Sequence, residues 1–381
     1  MGRTHLRVRI SGKGHLEVVD PGFDTLPLLQ EIDPDYVVKS APLPAFSRPR
    51  FQVARHIHLP VTPSEARQLS EEELWTIHDA AFEGGCRSRA ARRGISWLAL
   101  KVLLANRILA SCRLCGRRCG VDRTQGRAGP CGLGRDAYVA EHFVHIAEEP
   151  PINPSLVLNL RACALRCRYC QQSTLLDPRR RNSELLTASL WSRLDHTGAR
   201  SISFVGGNPD ESMTAILKFL TAAPHNWALP VVWNTHALMS EEGLRLLDGV
   251  VDCYLPDFKC FAAQCSENLS GMAAYPSIAR AALKRLLAGS VPVVVRILVL
   301  PGHNQCCHLP ALRWLAEHRR GSSLLASISG QYTPDWRVKP GEALGRRATT
   351  AEVAEVRDAA WALGIAFVDS DMPILRDGET E

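Results

Sequence analysis

The chain has 381 residues, enough for one α/β barrel of roughly 200 to 250 residues with an additional module. Hydrophobic residues make up 46% of it and charged residues 22%, the balance of an ordinary globular protein with a sizeable core. The formal net charge of +6 is modest and the basic residues are scattered, which argues against nucleic-acid binding. The longest apolar stretch, from Trp97 to Ala110, contains Lys101 and Arg107 and is shorter than the roughly 20 residues of a spanning helix, so no membrane association is expected.

The N-terminus and the thirteen cysteines together indicate a reducing compartment. Residues Met1 to His5 include basic side chains, but no apolar run follows them, so the central segment of a secretory signal is missing. We therefore expect a cytoplasmic protein, whose thiols stay reduced. In that setting the cysteines favour metal binding or catalysis over disulfides.

Residues 1–95 are predicted to form an N-terminal extension whose second half is interrupted by prolines. A helix is expected after Ser70, because the three glutamates that follow it suit the positive end of a helix dipole. A second helix is expected from about Trp97 to Ser111. Together with the cysteine-rich stretch behind it, this helix forms a predicted metal-binding module over residues 96–150.

Four cysteines follow the second helix at the spacing C-x2-C-x3-C-x11-C. They are Cys112, Cys115, Cys119 and Cys131. Four thiolates can close a coordination site completely, which suits a structural zinc and a four-cysteine iron–sulfur cluster equally well. The sequence therefore predicts a metal at this site and leaves zinc and a cluster as alternatives.

Short apolar segments alternate with helical segments from Leu156 onward, as in repeated βα units around a parallel sheet. Ser240 is a predicted N-cap, Gly289 a predicted stop, and Thr349 the start of a capping box with Glu352. Strands are predicted at residues 156–160, 201–205, 230–234, 250–255, 292–299 and 323–329, with a seventh at 365–368. Six units predict an α/β fold, a partial (β/α)6 barrel, over residues 151–340, followed by a C-terminal helix and tail over residues 341–381. In such barrels the working residues lie at the carboxyl ends of the strands.

Three cysteines on the loop after the first of these strands, Cys163, Cys167 and Cys170, have the spacing C-x3-C-x2-C, with Tyr169 before the last. Cubane iron–sulfur clusters normally take four thiolates, so a loop that supplies three leaves one iron free for another ligand. The amino and carboxylate groups of S-adenosylmethionine can chelate that iron, which places the sulfonium where one electron breaks its bond to the adenosyl carbon. The alternatives are a zinc site or three buried packing cysteines.

The loop resembles the signature of the radical S-adenosylmethionine superfamily, in which an aromatic residue precedes the third cysteine. The resemblance implies a [4Fe–4S] cluster on Cys163, Cys167 and Cys170, with S-adenosylmethionine bound to it and Tyr169 beside the adenine. The implied fold is a partial (β/α)6 radical SAM barrel with an N-terminal cysteine-rich extension.

Two glycines and an asparagine, Gly206, Gly207 and Asn208, follow the second predicted strand. Glycines let the backbone approach a ligand and adopt conformations closed to other residues. By the resemblance, these three occupy the place of a Gly-Gly-Glu motif that meets the amino group of S-adenosylmethionine, with Asn208 in place of the acidic residue. A plain left-handed turn before the next helix is the alternative.

Polar side chains also follow the third and fourth predicted strands, and an arginine interrupts the fifth. A guanidinium inside an apolar run needs a carboxylate, phosphate or carbonyl partner. A resemblance to glycyl-radical-enzyme activases implies that these residues border the methionyl end of the cofactor, its carboxylate or its ribose. They are Asn234, Thr235, Asp257, Lys259 and Arg296. The alternatives are an exposed Asp257–Lys259 ion pair of little energetic value and a solvent-facing Arg296.

Residues 112 to about 336 resemble a group of uncharacterised radical SAM proteins related to pyruvate formate-lyase activating enzyme, often called the PflX type. The segments that carry this resemblance are residues 112–123, Glu148-Glu149-Pro150-Pro151, the C-x3-C-x2-C loop, Phe204-Val205-Gly206-Gly207, Val232-Trp233-Asn234-Thr235 and residues 248–259. The chain departs from the pattern at Gln172, where the family often has asparagine, at Ala162, where glycine commonly precedes the first cysteine, and at Asn208.

The resemblance implies an enzyme that reductively cleaves S-adenosylmethionine to a 5′-deoxyadenosyl radical and abstracts hydrogen from a substrate. The implied substrate is a glycyl residue of a partner enzyme, and the implied electron donor is a reductant such as flavodoxin or ferredoxin. Two alternatives stay open. One is modification of another peptide or a small molecule with the help of an auxiliary cluster on the four-cysteine group, and the other is a zinc-stabilised binding module without enzymatic activity.

Histidines and cysteines outside these motifs are given structural roles. His236, His303 and His308, near the same edge of the sheet, are interpreted as ordinary surface residues. Most of the remaining cysteines are interpreted as packing residues because they lack paired ligand spacing. They are Cys86, Cys253, Cys260, Cys265, Cys306 and Cys307.

Overall fold

Nine strands form one mixed sheet in the computed structural model, which describes residues 8–10, 16–18, 48–83, 94–146, 149, 152–319 and 324–369. From one edge to the other, the strands are β11 (Phe367–Asp369), β10 (Leu324–Ser329), β9 (Val293–Leu298), β8 (Cys253–Pro256), β7 (Val231–Thr235), β6 (Ser201–Gly206), β4 (Ser155–Leu160), β3 (Tyr138–His145) and β5 (Glu184–Leu185). Two further strands, β1 (Val8–Ile10) and β2 (Leu16–Val18), pair separately and antiparallel.

The seven strands β4, β6, β7, β8, β9, β10 and β11 are parallel and lie side by side in chain order. Each predicted strand segment overlaps one of them, which confirms the predicted α/β class. β3 and β5 complete the sheet as antiparallel strands. Because crossovers between parallel strands are right-handed, an order that never reverses places the connecting helices on one face. It also brings the loops after the parallel strands to one edge of the sheet.

Ten α-helices lie in the described ranges. They are α1 (Arg50–His56), α2 (Pro63–Gln68), α3 (Glu71–Glu83), α4 (Trp97–Ala110), α5 (Met213–Thr221), α6 (Glu241–Leu247), α7 (Ala263–Ser270), α8 (Tyr275–Ala288), α9 (Leu309–His318) and α10 (Thr350–Ala362). The predicted helix ends are confirmed: the Ser240 hydroxyl accepts a hydrogen bond from Gly243 N–H at 3.0 Å, and Thr349 and Glu352 form a reciprocal capping box. Between β4 and β6 the chain makes short 3₁₀ turns instead of an α-helix.

A buried lysine on α4 ties the N-terminal helices to the helices that cover the sheet. Lys101 is fully buried; its Nζ lies 2.6 Å from Nε2 of His78 and donates to the carbonyl oxygen of Arg245, on α6, at 3.2 Å. The ammonium also lies 4.0 Å from the centroid of the Trp97 ring. Burial and the charge of Lys101 lower the pKa of His78 to about 3, so the ring is neutral and its Nε2 accepts a hydrogen bond from the lysine ammonium.

None of the described helices, α4 included, combines the length and the apolar character needed to cross a membrane. Most of the predicted N-terminal extension lies outside the described residues, as do Cys86 and the tail from residue 370. β3 belongs to the predicted cysteine-rich module by sequence, yet it is hydrogen-bonded to β4 in the main sheet.

Gly249 offers a test of how α4 packs. A Cβ on Gly249, whose φ is +68°, would lie 2.4 Å from Cζ3 of Trp97, whereas Gly271, with a φ of +70°, has nothing within 4 Å of that position. Both alanine variants carry the cost of a left-handed backbone, about 1–2 kcal/mol. Only Gly249→Ala adds overpacking against the indole, about 1–3 kcal/mol more. Urea denaturation measures both losses, and equal losses would contradict this packing.

Candidate active site

The cysteine loop leaves the carboxyl end of β4 and turns back at once. Ala162 has a φ of +75°, in the left-handed region that favours glycine, and its N–H donates to the carbonyl of Leu175 at 2.7 Å. Cys163 and Cys167 are buried and Cys170 is half-buried, with its N–H donating to the carbonyl of Cys167 at 3.1 Å. The loop therefore presents all three predicted ligands from one tight turn.

The three thiols of this loop are within the electrostatic reach of a single ammonium group, that of Lys259. Burial raises the pKa of Cys167 to about 11 and also raises the pKa values of Cys163 and Cys170, while the charge of Lys259 opposes the rise in each case. A lysine beside a thiol favours the thiolate, which is the form that binds a metal. Lys259, on the loop after β8, therefore favours the metal-binding form of the cysteines on the loop after β4.

Gly206 and Gly207 are required by the position of the cysteine loop. Gly206 has a φ of +102°, and a Cβ on it would lie 2.5 Å from the backbone nitrogen and oxygen of Leu160. A Cβ on Gly207 would lie 2.0 Å from the carbonyl oxygen of Ala162, and the Gly207 N–H donates to the carbonyl of Leu160 at 2.7 Å. These two glycines let the ends of β4 and β6 touch, a structural demand in addition to the predicted ligand contact.

A buried carboxylate, Glu211, joins the loops after β4, β6 and β7. Its Oε1 accepts a hydrogen bond from Ala164 N–H at 2.7 Å, and its Oε2 accepts one from the side-chain amide of Asn208 at 2.6 Å. The amide oxygen of Asn208 in turn accepts the backbone N–H of His236 at 3.0 Å. The predicted cofactor residue Asn208 is therefore engaged within the protein. Glu211 itself was not predicted as a site residue.

Two of the three histidines predicted to lie on the surface are buried, so that interpretation is wrong for His236 and His308. His236 is 3% exposed, and its Nδ1 accepts from Leu238 N–H at 3.2 Å, which leaves the proton on Nε2. Its Nε2 lies 3.4 Å from Oε1 of Glu211, in an orientation that forms no hydrogen bond. Ligand atoms of Cys163, Glu211 and His236 all lie within 4.8 Å of one another.

Asp210, next to Glu211, fixes the end of β7. Its Oδ1 accepts the indole N–H of Trp233 at 2.8 Å, and its Oδ2 accepts the hydroxyl of Thr235 at 2.7 Å. Burial raises the pKa of Asp210. Thr235 is 1% exposed, whereas Asn234, the other predicted site residue of this strand, is half-buried.

Asp257, Lys259 and Arg296 meet at the ends of β8 and β9. The Lys259 Nζ lies 2.8 Å from Oδ2 of Asp257, and the two side chains are 22% and 24% exposed, so this pair is more enclosed than a surface ion pair. Nε and Nη2 of Arg296 bind the two oxygens of Glu149 at 2.8 and 2.9 Å, and Nη1 lies 3.5 Å from Oδ1 of Asp257. The carboxylate that Arg296 was predicted to need is therefore supplied by Glu149.

Tyr169 packs against the segment that follows β10. It is 5% exposed, and its ring centroid lies 6.2 Å from that of Tyr332 in an edge-to-face arrangement. The Tyr332 hydroxyl donates to the carbonyl of Leu344 at 2.8 Å, which fixes the partner ring. The aromatic residue of the motif is thus held rigidly beside Cys170.

The four-cysteine group packs directly on this edge of the sheet. The Arg123 guanidinium donates to Sγ of Cys112 at 3.6 Å and to the carbonyl oxygen of Glu211 at 2.9 Å. Arg117 donates to the carbonyl oxygen of Ala164, inside the other cysteine loop, at 2.8 Å. The two predicted cysteine groups are therefore neighbours, bridged by Arg123 and Glu211.

The spacing of sulfur atoms distinguishes the kinds of metal site. Sulfurs around one tetrahedral zinc lie about 3.8 Å apart, given Zn–S bonds near 2.3 Å. Among the described residues, neither predicted cysteine group contains three sulfurs that are all within 4.8 Å of one another. Wider spacing suits a cluster, in which each cysteine binds a different iron. Burial raises the pKa of Cys131 to about 11, so metal binding there displaces thiol protons.

Comparisons with known proteins give relatives of limited similarity. No protein-family model matches the chain. Uncharacterized protein MJ0674 of Methanocaldococcus jannaschii is 28% identical over 326 residues, which cover 82% of this chain and 92% of that protein. SuiB of Streptococcus suis bound to S-adenosylmethionine aligns at 13% identity with a TM-score of 0.40, over 55% of this chain and 48% of SuiB. SuiB bound to the precursor peptide SuiA aligns with a TM-score of 0.39, again over about half of its length.

The pairing of Glu149 with Arg296 predicts a pH-dependent stability. Burial opposes ionisation of Glu149, but the charge and hydrogen bonds of Arg296 lower the pKa of its carboxyl below the ordinary 4.5. The unfolded state therefore binds more protons, and the pair's contribution is full above pH 4.5 and is lost as the pH falls through the lowered pKa.

We expect Glu149→Gln to reduce the free energy of unfolding by about 3–5 kcal/mol at neutral pH, and by less in acid. Urea unfolding at neutral pH and near the acid limit of folding measures the two losses. Glu242→Gln, which disrupts the pair with the half-exposed Arg118, is the control and should cost much less. A loss for Glu149→Gln that matches the control would contradict the assigned role of Glu149.

Proposed function

We propose that the protein is a radical S-adenosylmethionine enzyme built on a partial (β/α)6 barrel. The observation that carries the proposal is the set of three cysteines on one strand-end loop, within reach of Lys259 and surrounded by the polar ends of β7, β8 and β9. The donor set fits a [4Fe–4S] cluster held by Cys163, Cys167 and Cys170, since three thiolates from one loop leave one iron open for S-adenosylmethionine. When bound, the cluster supplies one electron to S-adenosylmethionine, whose cleavage gives methionine and a 5′-deoxyadenosyl radical that abstracts a hydrogen atom.

The proposed cofactor residues fall into two groups, those that are buried and hydrogen-bonded within the protein and those that are partly exposed. Asn208 and Thr235 are buried and hydrogen-bonded to Glu211 and Asp210, so we assign them to holding the strand ends in place. Asp257, Lys259 and Asn234 keep part of their surface open to the edge of the sheet. By charge, Asp257 suits the amino group of the cofactor, and Lys259 suits its carboxylate.

Four further residues complete the proposed cofactor site. Gly206 and Gly207 offer backbone groups without a side chain in the way, and Tyr169 offers a rigid ring for the adenine. Arg296 is bound by Glu149 through two of its nitrogens, while Nη1 points toward Asp257. We propose that Nη1 is the part of Arg296 that reaches the cofactor's carboxylate or ribose.

For the substrate we propose a glycyl residue of a partner enzyme, with electrons from a reductant such as flavodoxin or ferredoxin. This proposal rests on the resemblance to activating enzymes. The second candidate is modification of another peptide or a small molecule, and the adjacency of the two cysteine groups favours it. An auxiliary cluster on the four-cysteine group would lie beside the same strand ends through the contacts of Arg123 and Glu211.

Cys167→Ala tests the proposed chemistry. The variant removes one of three cluster ligands, so we expect dithionite-reduced protein to lose 5′-deoxyadenosine formation from S-adenosylmethionine by at least about 100-fold, the upper end of what the loss of an outer-shell partner alone costs a metal site. Chromatographic quantitation of 5′-deoxyadenosine measures the effect. Cys253→Ala, which deletes a fully buried thiol of β8 outside both groups, is the matched control and should keep turnover. Undiminished turnover in Cys167→Ala would refute the cluster assignment.

Cys115→Ala tests the second cysteine group. Because this group adjoins the other cysteine loop, we propose that it holds an auxiliary cluster and expect the variant to lose about four irons per chain while 5′-deoxyadenosine formation survives and substrate conversion fails. Anaerobic metal analysis with both activity assays measures this. Loss of one zinc with the iron content unchanged would contradict an auxiliary cluster and show a structural brace instead.

A further inference from the structure

Four more cysteines converge beside the proposed active site, although their sequence spacing shows no ligand pattern. They come from two parts of the chain: Cys260 and Cys265 follow β8, and Cys306 and Cys307 follow β9. The sulfurs of Cys265, Cys306 and Cys307 all lie within 4.8 Å of one another. Cys260 lies beside this trio, close enough to Cys307 for the two thiols to interact, but its sulfur is not one of the three within 4.8 Å of one another. The interpretation of these four as packing residues therefore misses their arrangement.

A π-helix creates the arrangement. Residues Asn304–His308 form one wide turn, in which the His308 N–H donates to the carbonyl of His303 at 3.3 Å. The turn places the adjacent residues Cys306 and Cys307 against Cys265 at the start of α7. Single π-turns at the head of an α-helix, here α9, are frequent at functional sites.

The short distances between the sulfurs of Cys265, Cys306 and Cys307 favour a single zinc ion over an iron–sulfur cluster. Three sulfurs within 4.8 Å of one another are close to the spacing of about 3.8 Å around one tetrahedral zinc. This is the compact spacing that both predicted cysteine groups lack. Soft thiolate ligands in a four-coordinate set select zinc and related thiophilic ions. All four thiols are free, so no disulfide competes for them in this structure.

The surroundings suit the negative charge that four thiolates carry. The backbone N–H groups of Ala262 and Phe261 lie near Cys307 and favour its thiolate, as outer-shell donors do at metal thiolates. The Arg280 guanidinium lies 4.8 Å from the Phe261 ring and donates to the carbonyl of Phe261 at 3.4 Å. Cys260 and Cys307 are buried, while Cys265 and Cys306 are half-buried and give an ion a path from solvent.

We propose that Cys265, Cys306 and Cys307 hold a single zinc ion, with the neighbouring thiol of Cys260 as its fourth ligand. The ion cross-links the loop after β8 to the π-turn after β9. The same loop carries Asp257 and Lys259, and the last residues of α7 accept hydrogen bonds from Arg166 and Arg168 N–H in the cysteine loop. The zinc therefore braces two sides of the proposed active site. Its existence does not depend on the proposed cluster.

The test is metal analysis of full-length protein purified anaerobically, exposed to a small excess of Zn²⁺ and desalted. The variant is Cys265→Ser with Cys306→Ser, both at half-buried positions, and the control is Cys253→Ala. We expect the double variant to hold about one zinc fewer per chain than wild type and control, with its iron content unchanged. Equal zinc content in all three proteins overturns the proposal. A change in iron alone concerns the proposed cluster and also leaves zinc binding here without support.

A second measurement keeps the proposal falsifiable if the double variant does not fold. Wild-type protein is alkylated with iodoacetamide, with Zn²⁺ or with a zinc chelator, and the labelled cysteines are identified by mass spectrometry. We expect Zn²⁺ to protect Cys265 and Cys306 at least about tenfold, while the buried Cys253 stays unlabelled in both conditions. Equal labelling with and without zinc, or a disulfide between Cys265 and Cys306, overturns the proposal.

Discussion

The site depends on the hydrogen bonds of one buried residue, Glu211. Its two oxygens and its carbonyl bind Ala164, Asn208 and Arg123, which belong to the cysteine loop, the end of β6 and the four-cysteine group. A buried carboxylate without partners costs several kcal/mol, so these donors must stay in place for the chain to fold. One residue, through its carboxylate and its backbone carbonyl, therefore fixes the relative position of both cysteine groups. The glycine contact between β4 and β6 adds a steric limit to the same arrangement.

Much of the fold could be predicted because its signals are local. Each parallel strand is a short apolar run, and helix ends such as Ser240 and the Thr349 capping box depend on residues three positions apart. The class and the edge that holds the site follow from the alternation of strands and helices. The sequence did not predict that the connection between β4 and β6 lacks an α-helix, because 3₁₀ turns and a two-residue strand leave no periodic pattern.

The site could be predicted only where a motif is contiguous. The cysteine loop is such a motif. The roles of Glu211 and Glu149 and the burial of His236 depend instead on contacts between distant segments. Glu149 and its partner Arg296, for example, are 147 residues apart. The proposed zinc site shows the same limit, since its two pairs of cysteines are separated by some forty residues and meet only through the parallel order of β8 and β9. Neighbouring strand ends bring such residues together, and a search by spacing along the chain does not detect them.

The proposed function depends first on a four-iron cluster held by Cys163, Cys167 and Cys170. Anaerobic iron and acid-labile sulfide analysis tests it most directly when wild-type protein is compared with a variant in which all three cysteines are alanine. We expect iron and sulfide each to fall by about four per chain in the variant, whatever the second cysteine group binds. Unchanged iron in the variant, or a wild-type protein that binds only zinc under reconstitution with iron and sulfide, would contradict it.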